Sequence, residues 1–163
     1  MENREDKDQL LNQALEFAQQ CLKRYGGFIP FAGAISNDGK GICIAADPRE
    51  EISVEVGNEK VEHDEVREML IKGLTRGAQK GEYRATFLCY NASVVDLHGK
   101  KMDVVAVNIE HIDGIALTVF LPYCKKLFGG YAFSEVVAQP AEQKIFVKME
   151  RENQGPSNTT TQS

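Results

Sequence analysis

Between Asp8 and Tyr25 the apolar residues Leu11, Ala14, Leu15, Ala18, Cys21, Leu22 and Tyr25 recur at intervals of three and four, the stripe of an amphipathic helix. Gly26-Gly27 ends it, because glycine takes the left-handed conformation after a helix without steric penalty. The spacing then changes. Ile29 to Ser36 reads as a strand, Asn37-Asp38-Gly39-Lys40-Gly41 as a turn, and Ile42 to Ala46 as the returning strand of a hairpin. Asp47-Pro48 closes that strand, since proline cannot donate to a ladder. A polar segment follows to about Lys60, with Ile52, Val54 and Val56 alternating as a short strand would. Helical spacing returns in Val61, Val66, Met69, Leu70, Leu74 and Ala78, up to Gly81, with acids at the amino end where the helix dipole favours them.

Beyond Gly81, Thr86 to Val95, Met102 to Ile112 and Ile115 to Tyr123 are rich in Val, Ile, Leu, Phe and Thr. His98-Gly99-Lys100 and Asp113-Gly114 separate them, which predicts three consecutive antiparallel strands. After Gly129-Gly130, the stretch from Tyr131 to Val147 has room for one or two more strands, split by Pro140. From Arg151 the tail RENQGPSNTTTQS has no large apolar residue and is expected to be disordered. The expectation is a single α+β domain over residues 1–150 and a tail over 151–163. Its order α-β-β-α-β-β-β sets an antiparallel sheet of five to six strands with two helices in a two-layer arrangement. The imperfect alternation in MDVVAVNIEHI implies that the second face of the sheet is partly covered, by helices on both sides or by a partner chain.

Composition narrows the function classes. The 163 residues are 42% hydrophobic, enough for one core, and no apolar run is long enough to span a membrane. The first residues, MENREDKDQ, carry both charges and no apolar leader pattern, so the expectation is a cytoplasmic protein without a membrane partner. With 19 Lys and Arg against 24 Asp and Glu, the net charge of −5 repels phosphate and argues against nucleic acid. Cys21, Cys43, Cys89 and Cys124 form no CxxC pair and sit among apolar neighbours, which reads as four small buried hydrophobes.

Charge is unevenly spread. Asp47 to Glu68 holds nine acids against three basic residues, whereas Lys72 to Lys148 holds ten basic residues against seven acids. A segregated negative surface that includes Glu50, Glu51, Glu55, Glu59 and Glu62 can steer a basic partner. The plainer reading is a solvated loop followed by the acid-rich start of a helix.

Catalytic patterns are weak. Around His63 there is no HExxH or i, i+4 histidine pair, and His98 falls in a tight turn. Strand alternation puts His111 and Asp113 on one face, which is two ligands and not a metal site. No serine has nucleophile-elbow flanks, DGKG at 38–41 lacks phosphate-loop spacing, and Asn37-Asp38-Gly39 lacks the glutamate of a calcium loop. No catalytic residue, metal or cofactor is therefore expected. The aromatic strings YGGFIPF and TVFLPY read as core; if they lined a groove, Tyr25, Phe31 and Tyr123 would form it, with His111 and Asp113 supplying polar groups.

Two strings, GGFIPFAGAISNDGKG and DGIALTVFLPYCKK, resemble a group of small bacterial α+β proteins with an F-x-PF hairpin and a DG…FLPY strand. The resemblance covers about two thirds of the chain and implies a bacterial cytosolic source. The layout also resembles roadblock-like and profilin-like folds and some immunity proteins of toxin systems. The functional expectation is a non-catalytic interaction domain, adaptor or immunity-like, homodimeric through a sheet edge or helix face, that binds a basic protein through the acidic surface. The alternative is a small-molecule binder or enzyme using the Tyr25, Phe31, Tyr123 and His111 groove.

Overall fold

A computed structural model describes residues 2–44 and 59–146. Helix α1 (Glu2–Tyr25) leads into β1 (Phe31–Ser36) and β2 (Gly41–Ile44). Helix α2 (Glu59–Gln79) precedes a meander of β3 (Tyr83–Val95), β4 (Lys101–His111) and β5 (Ala116–Lys125), and two short strands follow, β6 (Tyr131–Phe133) and β7 (Val137–Pro140). All seven strands join one antiparallel sheet in the order β2-β1-β3-β4-β5-β6, with β7 also paired to β5. The fold is thus the expected α+β arrangement of two helices and an antiparallel sheet. The alternating run at Ile52, Val54 and Val56 and the tail from Arg151 lie outside the described residues.

Side-chain contacts divide the helices between the faces. Leu10, Ala14, Ala18, Cys21 and Leu22 of α1 pack on Phe31, Ile35, Phe87, Cys89, Val105, Val107 and Val119. Leu70, Leu74 and Ala78 of α2 pack on Ala32, Ala34 and Leu88 from the other side, together with Ile145 and Phe146. The sheet is therefore sandwiched between one helix per face, three layers in place of the expected two, which accounts for the buried run Val104 to Val107 in β4. At Gly33 a Cβ would stand 2.3 Å from the Phe87 ring, so glycine there lets the ring lie against the backbone of β1.

Four hairpins share one turn geometry. The N–H of the first turn residue donates to the carbonyl four residues on, in Ser36/Lys40 (2.9 Å), Asp96/Lys100 (2.9 Å), His111/Ile115 (2.8 Å) and Lys126/Gly130 (2.9 Å). The fourth residue is Gly39, Gly99, Gly114 or Gly129, each at positive φ between +78° and +110°, the position only glycine occupies without strain. The turns of β1-β2 and β4-β5 lie at one end of the sheet, and those of β3-β4 and β5-β6 at the other.

The break in the last strands differs from the expected split at Pro140. Pro140 ends β7 opposite Leu117, and the interruption falls earlier, where residues 134–136 face only Leu121 and Pro122. Pro122 has no N–H for that edge, and one extra residue bulges out opposite it. Among the described residues, no helix is long and apolar enough to cross a membrane.

Candidate functional site

A polar cluster lies under the amino end of α1, where α1 meets the starts of β3 and β5 and the end of β4. Asp6 is 4% exposed, one helical turn before Leu10 on the buried stripe of α1. Arg84 donates to both of its carboxylate oxygens, Nε to Oδ2 at 2.8 Å and Nη2 to Oδ1 at 2.9 Å. His111 Nε2 stands 3.1 Å from the same Oδ2, and His111 Nδ1 stands 3.0 Å from Asp113 Oδ1. Arg84 also reaches the Asn37 carbonyl at 3.4 Å, and the Asn37 side chain donates to the Gly81 carbonyl. One network thus ties α1 to two hairpin turns and to the α2-β3 connection.

A backbone irregularity aims Arg84. Ile35 pairs with Ala85 but Ser36 pairs with Tyr83, so Arg84 is an extra residue bulged out of the β1-β3 ladder. In a regular strand Arg84 would share the α2 face with Thr86 and Leu88; the bulge turns its guanidinium toward α1 instead. Burial alone would raise the pKa of Asp6, but the Arg84 and His111 hydrogen bonds and charges outweigh it and hold the carboxyl below its ordinary value of 3.8.

The second buried carboxylate, Glu110, is 6% exposed on the opposite face. It accepts from three successive backbone N–H groups, Lys144 at 3.0 Å, Ile145 at 2.9 Å and Phe146 at 3.4 Å. Gln143 Nε2 adds a bond to the His111 carbonyl at 3.1 Å. These bonds strap residues 143–146 across the sheet and deliver Ile145 and Phe146 into the α2-side core. Between strap and sheet is a cavity of about 300 Å3, lined by Tyr90, Asn108, Glu110, Thr118, Glu142 and Lys144 among others. Its size is at the lower limit for ligand pockets, and the Glu110 oxygens are already engaged by the strap.

The sequence-predicted residues are distributed as follows. His111 and Asp113 do pair, as strand alternation predicts. Tyr25 and Tyr123 sit at the other end of the sheet, and Phe31 lies at its middle, opposite Cys89. Tyr123 faces Asp103, eight residues before His111 on β4, so roughly 26 Å separates the two groups and no single groove contains them. Phe31 is a core residue at 2% exposure, in edge contact with Phe17, Phe28 and Phe87. Tyr123 contacts Tyr131 and Phe133 and donates to Asn91 Oδ1 at 2.8 Å, while Tyr25 is exposed. His63 borders an open depression with Arg67, Asn91 and Lys101, on the α2 side and away from His111. Glu50, Glu51 and Glu55 lie outside the described residues, and Glu59 and Glu62 fall in the first turns of α2.

Two of the four cysteines depart from the buried expectation. Cys21 and Cys89 are core residues, whereas Cys43, on edge strand β2, and Cys124, near the end of β5, are exposed. Asp6 and Arg84 are the residues that sequence reasoning missed. The available signal was the spacing of Asp6, Leu10, Ala14, Ala18 and Leu22, which puts a carboxylate on the apolar stripe. Among the described residues, no group of three or more His, Cys, Asp or Glu side chains is arranged to hold a metal ion. No protein-family profile, curated protein or solved structure matches the chain.

Proposed function

We propose that this chain is a non-catalytic interaction domain, adaptor or immunity-like, whose acidic segment from Asp47 to Glu68 binds a basic protein. The observation that carries the reading is the state of the buried acid-base groups. Asp6, Arg84, His111 and Asp113 bind one another and the backbone of adjoining turns, so the best-built polar cluster serves to fasten α1 to the sheet. The carboxylates on the solvent side of α2 are differently placed: Asp64, Glu65 and Glu68 are exposed, while Leu70, Leu74 and Ala78 hold the helix to the sheet. They continue, in described structure, the acidic run that begins at Asp47 and includes Glu59 and Glu62. Four free cysteines suit a reducing compartment, which supports a cytoplasmic setting.

The test is charge reversal at Glu50, Glu51 and Glu55 to lysine. Capture of a basic protein by the native chain, lost in the variant at unchanged melting temperature, is the expected result. Capture that survives reversal would overturn the acidic surface as the binding face.

A further inference from the structure

The end of the sheet opposite the Asp6 cluster carries a different surface. At the β3-β4 turn Leu97 is fully exposed, at 101% of its reference area, and at the β5-β6 turn Leu127 and Phe128 reach 96% and 102%. Within the shared turn geometry, the second and third residues are the outermost. The other turns put Asn37-Asp38, Leu97-His98 and Ile112-Asp113 there, each with at least one polar residue; only the β5-β6 turn presents two apolar side chains. The two tips project from adjacent hairpins, two strand spacings or about 10 Å apart. Tyr25 and Val95, 54% and 68% exposed, lie at the same end. Near Tyr25, Gly26 at the end of α1 comes close to the Tyr131 hydroxyl at the start of β6, which places the last turn of α1 beside these tips.

Cations ring these apolar residues. Lys100 and Lys101 flank the first tip, Lys125 and Lys126 the second, and Lys23 and Arg24 form the last turn of α1. The hairpin acids nearest them are Asp96 and Asp103. Asp96 accepts from the backbone N–H groups of His98 and Lys100, both at 2.8 Å, so its carboxylate stiffens the turn. Asp103 pairs across the strand with Ser93 at 3.3 Å. Of the acids of α2, Asp64 borders the depression at Asn91 to Ser93 that Lys101 also lines, with Glu59 and Glu62 in the preceding turns of the helix, and the Leu97 tip lies four residues beyond Ser93, roughly 13 Å away.

From this juxtaposition we propose that the β3-β4 and β5-β6 tips dock onto an anionic lipid surface, with Leu97, Leu127 and Phe128 entering the interfacial layer and the surrounding lysines meeting lipid phosphates. Short apolar side chains on stiff turns, ringed by amines on long stems, suit shallow insertion below a layer of negative charge. The absence of a spanning run concerns crossing a bilayer and leaves this edge-on contact open. The inference is independent of the acidic face of α2.

The chain has no tryptophan, so F128W supplies a single reporter. At low salt, its emission should shift to the blue with vesicles of phosphatidylcholine and phosphatidylglycerol, and not with phosphatidylcholine alone. The unlabelled full chain should sediment with the anionic vesicles, and added salt should release it. Doubling L127S with F128S should weaken that binding at least tenfold with unchanged thermal unfolding, and K125E with K126E should weaken it about fivefold or more per lysine. Absence of sedimentation with anionic vesicles at low salt overturns the proposal, as does binding indifferent to L127S/F128S. Loss of a dimer in L127S/F128S, without vesicle binding by the native chain, also overturns it and assigns the tips to a second copy.

Discussion

The Asp6-Arg84 pair predicts an asymmetry that a count of lost bonds would not. Asp6 has a side chain 5% exposed and Arg84 one 22% exposed. R84M removes the guanidinium and leaves a carboxylate that water barely reaches, with His111 as its remaining side-chain partner. Breaking a buried pair in this way costs about 3–5 kcal/mol, and the partial exposure of Arg84 sets the expectation at the lower end, about 3 kcal/mol. D6N instead strands the partner that can hydrate and keeps one oxygen to accept from it, so about 1–2 kcal/mol is expected. For a chain of this size the two correspond to roughly 6–12 °C and 2–8 °C in melting temperature. Adding D6N to R84M should then recover stability, because it neutralises the stranded charge. The pH dependence has a definite sign. In the native chain the folded pKa of Asp6 lies below 3.8, so its contribution is fully present above that value and is lost as pH falls through the folded pKa. In R84M burial is no longer outweighed by the guanidinium, the carboxyl takes up its proton at higher pH, and the gap to the native chain narrows on acidification. Urea unfolding of the native chain, R84M, D6N and the double variant, from neutral pH down to the acid limb, measures all of this. An R84M penalty no larger than that of D6N, or a gap that does not close with acid, would refute the reasoning.

Two further expectations follow from burial. E110Q keeps the shape of the strap anchor but replaces one acceptor oxygen with a donor facing N–H groups; a loss of about 2 kcal/mol is expected, with faster amide exchange at Lys144, Ile145 and Phe146. Unchanged protection of those amides would remove Glu110 as the anchor. In a thiol titration, Cys43 and Cys124 should react in the native state and Cys21 and Cys89 only after unfolding, since burial pushes the Cys89 thiol well up and the Cys21 thiol up. Four fast thiols, or none, would contradict the packing.

What the sequence made legible is what short-range periodicity encodes. The stripe of α1, the β-branched runs of β3 to β5 and the glycine in the fourth position of each turn are local patterns, and the elements they predict are present. The pairing of β1 with β3 is not local, since residues 31–36 meet 83–89 across the whole of α2. The bulge at Arg84 is harder still, because it exists only once that pairing forms, and it reverses the face that alternation assigns. Asp6 stands between these cases. The periodic stripe is expected to begin only at Asp8, whereas α1 begins at Glu2, so Asp6 falls outside the expected helix although its four-residue spacing to Leu10 is written in the same residues. The same reasoning applies to Leu127 and Phe128. The KKLFGG string has no periodicity that assigns them a face; only the turn geometry puts both side chains outermost and beside Leu97. Local pattern therefore fixes the elements, and the residues that make this molecule distinctive are those whose placement exists only once distant segments pair.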